Sequence, residues 1–333
     1  MKKMNNLLRI LVVTALMIST SGCSSSTAIS EQSTNKENIE NYKIGAIQLV
    51  EHESLDAVYE GFVDGLKEAG LEEGKNITID YQNAQGDQSN CQTIATKLVN
   101  DRNHLILAIA TPAAQAVANA TKDIPILVTA VTDPANSKLV ASNEVPGGNV
   151  SGTSDLTPIK EQIGLISQIL PNAKTVGLLY CSSEVNSKFQ IELAKKEAEA
   201  LGFETVKATV SNSNEIQQVV QSLVGKVDAI YIPTDNMLAA GMATVAQVTI
   251  PAGIPVIVGA EGMVTSGGTA TYGINYYDLG KLTATQAVAI LKEGKSPAEM
   301  PIEYSSDCNL IINQEAVAQM GLTLPKELLD KVK

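Results

Sequence analysis

The chain has 333 residues, 44% hydrophobic and 18% charged, with a formal net charge of −12. This is ordinary globular composition, long enough for one large domain or two of common size. The acidity argues against a nucleic-acid binder, which carries a basic face, and otherwise favours solubility.

The first residues read as a targeting segment. Lys2, Lys3 and Arg9 precede and enter an apolar run, LRILVVTALMIS from Leu8 to Ser19. Small residues and Cys23 follow it. The run is short for a membrane span. The pattern resembles a bacterial lipobox, with Thr20 where leucine is usual, so residues 1–22 are expected to be a lipoprotein signal and Cys23 the lipidated residue. The alternative is a simple secretory signal cut nearby. Residues 23–41, rich in Ser, Thr, Asn and Glu, read as a flexible tether. The remaining cysteines, Cys91, Cys181 and Cys308, are odd in number and widely spaced. They suit neither a disulfide framework nor a zinc site, and each reads as a small packed residue.

The body of the chain repeats itself. A first pass runs from the strand KIGAI through a helix over 54–70, a strand NITIDYQN, a helix QSNCQTIATKLVN and a strand HLILAIATP to IPILVTAVTDP. A second pass runs from TVGLLY through a helix ending at Gly202, then ETVKATVS, NEIQQVVQSLVG and DAIYIPTDN, to IPVIVGAEG. The runs at 105–110, 126–131, 176–180, 228–232 and 255–258 are continuously apolar, as in parallel strands covered on both faces. The expectation is α/β: two doubly wound parallel-sheet lobes joined by a hinge. PGGNVSGTSD (Pro146–Asp155) reads as that hinge through its glycines. Lobe 1 would span 42–153 with about 276–303 crossing back. Lobe 2 would span 154–275 with about 304–333.

Ligands of such sheets bind beyond the carboxyl ends of the strands. In the first lobe those ends hold Gln48, Glu51 and His52, then Thr111, then Asp133. The helix after Thr111 offers backbone N–H groups at Ala113 and Ala114 beside a proline that has none to lose. With the Thr111 hydroxyl they would suit a carboxylate, or Thr111 is a plain helix cap. Asp133 could receive an amine or cap a turn. In the second lobe CSSEVNS, PTDN and GAEG make Glu184, Asp235 and Glu261 candidates for an ammonium group. A zwitterion needs both kinds of partner, each desolvated and paired.

Several stretches together resemble the substrate-binding lipoproteins of ABC importers, in the family that includes tryptophan- and tyrosine-type binding proteins. They are QLVEHESLDAVYEGFVDGL, YQNAQGD, AIATPAAQAVANATKDIP, AVTDP, PGGNVSGTSD, VNS after Tyr180, YIPTDN, ATYGINYYDLG and LIINQEAVAQMGLTLP. The resemblance covers essentially residues 42–330. It implies the type I periplasmic-binding-protein fold, capture of an aromatic amino acid outside the membrane, and delivery to ABC permease subunits. It implies the ligand carboxylate at Thr111, Ala113 and Ala114, and the amine near Asp155 or Asp235. Glu184, Asn186 and Ser187 would close from the other lobe, with Asn236 beside Asp235. Tyr180, Tyr231 and Tyr272 lie near strand ends and could equally be core.

An enzyme is not expected. The chain has two histidines, and no phosphate loop, dinucleotide fingerprint or nucleophile elbow is present. His52 lies between two acids, but no partner cluster suggests a metal site, and His104 opens a strand. No cofactor is expected. The protein is expected to sit lipid-anchored at the outer face of the bacterial cell membrane. The rival reading is a surface lipoprotein acting as an adhesin, in contact with a host or another cell, possible alongside solute binding.

Overall fold

The computed structural model describes residues 41–332. The expected signal segment, Cys23 and all of the tether but Asn41 lie outside the described residues. Among the described residues, no helix is long and apolar enough to cross a membrane.

The strands form two six-stranded sheets. The first holds β1 (Tyr42–Gln48), β2 (Ile77–Asn83), β3 (Leu105–Ile109), β4 (Ile126–Val131) and β5 (Val150–Ser154). The second holds β6 (Thr175–Cys181), β7 (Glu204–Val210), β8 (Ala229–Ile232), β9 (Val256–Val258) and β10 (Ala270–Gly273). Then β11 (Glu303–Tyr304) extends the first sheet and β12 (Asn309–Ile312) the second. The orders are β2-β1-β3-β4-β5-β11 and β7-β6-β8-β9-β10-β12, one arrangement used twice. The sequence repeat is therefore a repeat of topology. Pairing is parallel except between β10 and β12.

β3 and β4 are buried at every position, since helices cover both faces of the sheet. The helix Glu53–Glu68 turns Leu55, Val58, Phe62 and Leu66 inward at helical spacing. The helix Tyr276–Glu293, capped by the Asn275 side chain, returns from the second sheet to lie on it. The two meet backbone to backbone. A Cβ on Gly61 would stand 1.9 Å from the Tyr277 carbonyl oxygen, and one on Gly280 2.1 Å from that of Val58. Only glycine permits that approach.

The chain passes between the sheets after β5, after β10, and between β11 and β12. Half of the glycine-rich segment expected to be a free hinge is β5, buried from Val150 to Ser154. Gly152 is required there by packing. Its φ is +141°, and a Cβ would stand 2.0 Å from the Val128 carbonyl oxygen, where the β4–β5 register shifts. The link itself is 155–158. Cys91 and Cys181 are packed, but Cys308 is exposed in the link before β12.

Candidate functional site: a cavity between the lobes

The strand ends of the two sheets face each other. Thr132, after β4, and Thr234, after β8, place their Oγ1 atoms 3.1 Å apart. Gln190 Nε2 donates to both, at 3.1 and 2.7 Å. At the rim the Thr265 hydroxyl donates to Glu53, and a Cβ on Gly262 would stand 2.8 Å from Ser54 Oγ. The lobes therefore touch on two sides. Between them lies a narrow cavity, lined from one lobe by His52, Ser54 and Leu55. The other lobe contributes Thr234, Asp235, Asn236, Ala239, Ala260 and Met263, and the links contribute Asp155 and Tyr276.

Buried polar atoms without partners mark where a ligand would bond, because a native interior pairs nearly all such atoms. Three of them belong to residues lining this cavity: Asp155 Oδ1, His52 Nε2 and Ser54 Oγ. Asp155 is 3% exposed, and its Oδ2 accepts from the Tyr276 hydroxyl at 2.8 Å. Burial pushes its carboxyl up to about 6, against the opposing pull of the Tyr276 hydrogen bond. Burial likewise lowers His52 to about 4, with the Asn236 side chain acting the other way. The imidazole is thus neutral at pH 7.

A further donor set lies at Thr111, which is not among the residues lining this cavity and whose Oγ1 is also buried without a partner. The helix begins one residue earlier than its sequence suggests. Ala110 takes the cap position at φ +79° and ψ 152°, a conformation that costs an alanine on the order of 1–3 kcal/mol. Thr111 is then in the first turn and Pro112 second. This corrects one expectation: the Ala114 N–H is taken by the Ala110 carbonyl at 3.0 Å. The free donors are those of Thr111 and Ala113.

The expected acids separate into different roles. Glu184 is fully engaged within its own lobe. Its Oε2 accepts from Asn186 Nδ2 and from the Asn236 backbone and side chain, and its Oε1 from the Met237 N–H. Asp235 accepts from the Cys181 and Leu238 N–H groups, at 2.6 and 2.9 Å, and Ser187 also bonds to it. These two carboxylates share one buried corner. Desolvation, then the Asp235 charge, raises Glu184 to about 8; desolvation raises Asp235 too. The pair therefore holds a proton more readily than an exposed carboxylate does. Asn186 Nδ2 also donates to the Thr234 carbonyl, and its Oδ1 is left bare.

Other expected residues stand apart. Asp133 Oδ1 accepts from the Ala135 and Asn136 N–H groups and from Asn143, so it caps a turn. Glu51 is exposed. Glu261 is half-buried and faces Glu53, and burial followed by that charge raises its carboxyl. Gln48 is buried with Nε2 donating to Val50 O and Asp56, and its Oε1 is bare. Tyr231 is core, bonded to Gln162, and Tyr276 is the aromatic residue on the cavity. Ser54 is a lining residue that sequence reasoning missed, and His52 one that it placed at the strand end without a contact; the signal of both is position, just past the β1 end and into the following helix. Among the described residues, no three His, Cys, Asp or Glu gather to hold a metal ion.

Two like lobes that close over a small polar-and-apolar cavity define a solute-binding clamp. The model of the ABC transporter substrate binding protein family matches residues 43–333, and the chain belongs to that family. It is 42% identical to a tyrosine-binding protein of Clostridioides difficile, over all of this chain and 96% of the relative. It is 41% identical to a domain from Streptococcus pneumoniae solved in complex with L-Trp, over 88% of this chain and 99% of that one, with a TM-score of 0.85. A ligand-free, open structure of a substrate binding protein with adhesive properties from Clostridium difficile is 45% identical. It covers 88% of this chain and 98% of its own, yet its TM-score is 0.67. The more similar sequence has the less similar shape, so the lobes here are set as in the liganded relative. The protein is a substrate-binding component of an ABC importer, a class that works outside the cytoplasm.

Proposed function

We propose that the protein captures an aromatic amino acid in the interlobe cavity and hands it, chemically unchanged, to ABC permease subunits, while anchored to the outer face of the cell membrane through lipid on Cys23. The observation that carries the reading is Asp155, a buried carboxylate with one oxygen bare at the interlobe cavity. Such a group calls for a cationic partner such as an ammonium. The Thr111 hydroxyl with the Thr111 and Ala113 N–H groups supports a carboxylate partner at a helix start. Leu55, Ala239, Ala260 and Met263 supply apolar wall for a side chain. The tyrosine-binding and L-Trp-bound relatives support an aromatic one.

The test is titration calorimetry on the full chain in detergent, refolded from denaturant to strip carried solute, against each common amino acid. Saturable binding confined to tyrosine, tryptophan or phenylalanine is expected, with the released amino acid unchanged in mass. Silence across the panel would overturn the reading. An adhesive role beside transport is supported by the 45% identical relative with adhesive properties. Undiminished attachment of cells lacking the protein would remove it.

A further inference from the structure

The bare polar atoms sort by charge. Asp155 Oδ1 suits an ammonium, and the Thr111 group suits a carboxylate. His52 Nε2 and Ser54 Oγ remain, and both are uncharged. They stand two residues apart, at the cap and in the first turn of the helix Glu53–Glu68, and both line the cavity. Leu55 follows them, and Ala260 and Met263 face them from the other lobe. Neither atom carries a charge to balance the ligand's ammonium or carboxylate, and Thr111 and Ala113 offer a carboxylate donors of their own.

We propose that His52, with Ser54, is the specificity determinant of this cavity, holding a hydrogen-bonding group on the ligand side chain and so selecting tyrosine over phenylalanine. The inference rests on the aromatic amino-acid reading above. A phenol hydroxyl both donates and accepts, so it satisfies Nε2 in either tautomer and can serve Ser54 as well. An indole N–H serves only an Nε2 that accepts. A phenyl ring serves neither, and leaves two polar atoms dehydrated and unpaired. Sites built around a ligand hydroxyl reject the analogue lacking it for this reason.

The test compares tyrosine and phenylalanine on the same full-length protein by competition and calorimetry. The native protein is expected to prefer tyrosine by about 10–100-fold, the range for one or two unpaired buried groups. His52→Leu is expected to weaken tyrosine about tenfold or more while leaving phenylalanine unchanged or tighter, so that the ratio collapses. Ser54→Ala is expected to narrow the ratio in the same direction, and His52→Gln to keep part of it. These two carry the test if His52→Leu does not refold to the native melting curve. A parallel loss for both amino acids would overturn the proposal, because it would put His52 at the common backbone end of the ligand. Equal native affinities would overturn it while leaving the aromatic reading intact. Binding of neither amino acid by the native protein would overturn both.

Discussion

Asp155 is a carboxylate held out of water with one oxygen on Tyr276 and the other bare. Its ordinary value is 3.8, and burial raises it to about 6. In the ligand-free protein this group binds a proton more readily folded than unfolded. Its contribution to stability is therefore full below about 3.8 and is lost as pH rises through about 6. An ammonium ligand reverses the preference by favouring the charged form. Binding near pH 6 is expected to release a proton, and affinity to fall by up to about tenfold per pH unit below it. Calorimetry at pH 5 and pH 7, in two buffers of different ionisation heat, reads both effects. Asp155→Asn is expected to lose them, and a flat affinity from pH 5 to 8 would sink the assignment. The presence of acids at strand ends was legible in the sequence. Which acid is bare was not. Asp235 is occupied by the Cys181 N–H, 54 residues away in sequence, and Glu184 by Asn236, 52 away. Such pairings arise only once sheet and helices have packed.

The helices Glu53–Glu68 and Tyr276–Glu293 are joined through glycine, and that contact fixes the first lobe to the link after β10. Gly280→Ala would drive a methyl group into the Val58 carbonyl in a place with no room to move aside. A loss of about 3 kcal/mol is expected, at the upper end for overpacking. Denaturant unfolding checks it, and a change below 1 kcal/mol would mean the helices can part cheaply. The strand–helix alternation was legible because buried parallel strands are continuously apolar and their helices carry a regular stripe. The cap at Ala110 was not, because sequence preference puts a threonine, not a strained alanine, at the cap. The role of Gly152 was misread for a similar reason. Glycine serves both free rotation and close approach, and only the neighbouring Val128 backbone decides between them.

At the scale of the molecule, closure is a population set by contacts that exist only when the lobes meet. Thr132, Thr234 and Gln190 make such a contact without a charge. Thr132→Val keeps the shape and removes two bonds to the other lobe. Solute affinity is expected to fall about two- to tenfold, mostly through faster release. Stopped-flow kinetics reads this, and an unchanged release rate would show that the triad is not part of the clasp. The two-lobed plan itself was legible from the repeat, since two passes of like order at like spacing leave few other folds.

The last strands of both sheets, β11 and β12, are neighbours in sequence, Glu303–Tyr304 and Asn309–Ile312. A ribosome makes the chain from the other end. By the time the whole repeat has been made, the first lobe still lacks the helix that seals Glu53–Glu68 and the strand that closes its edge. Neither half can be finished before nearly the entire polypeptide exists, and both then become complete within a few residues of each other. Truncation before residue 303 strips the edge strand of the first sheet as well as that of the second.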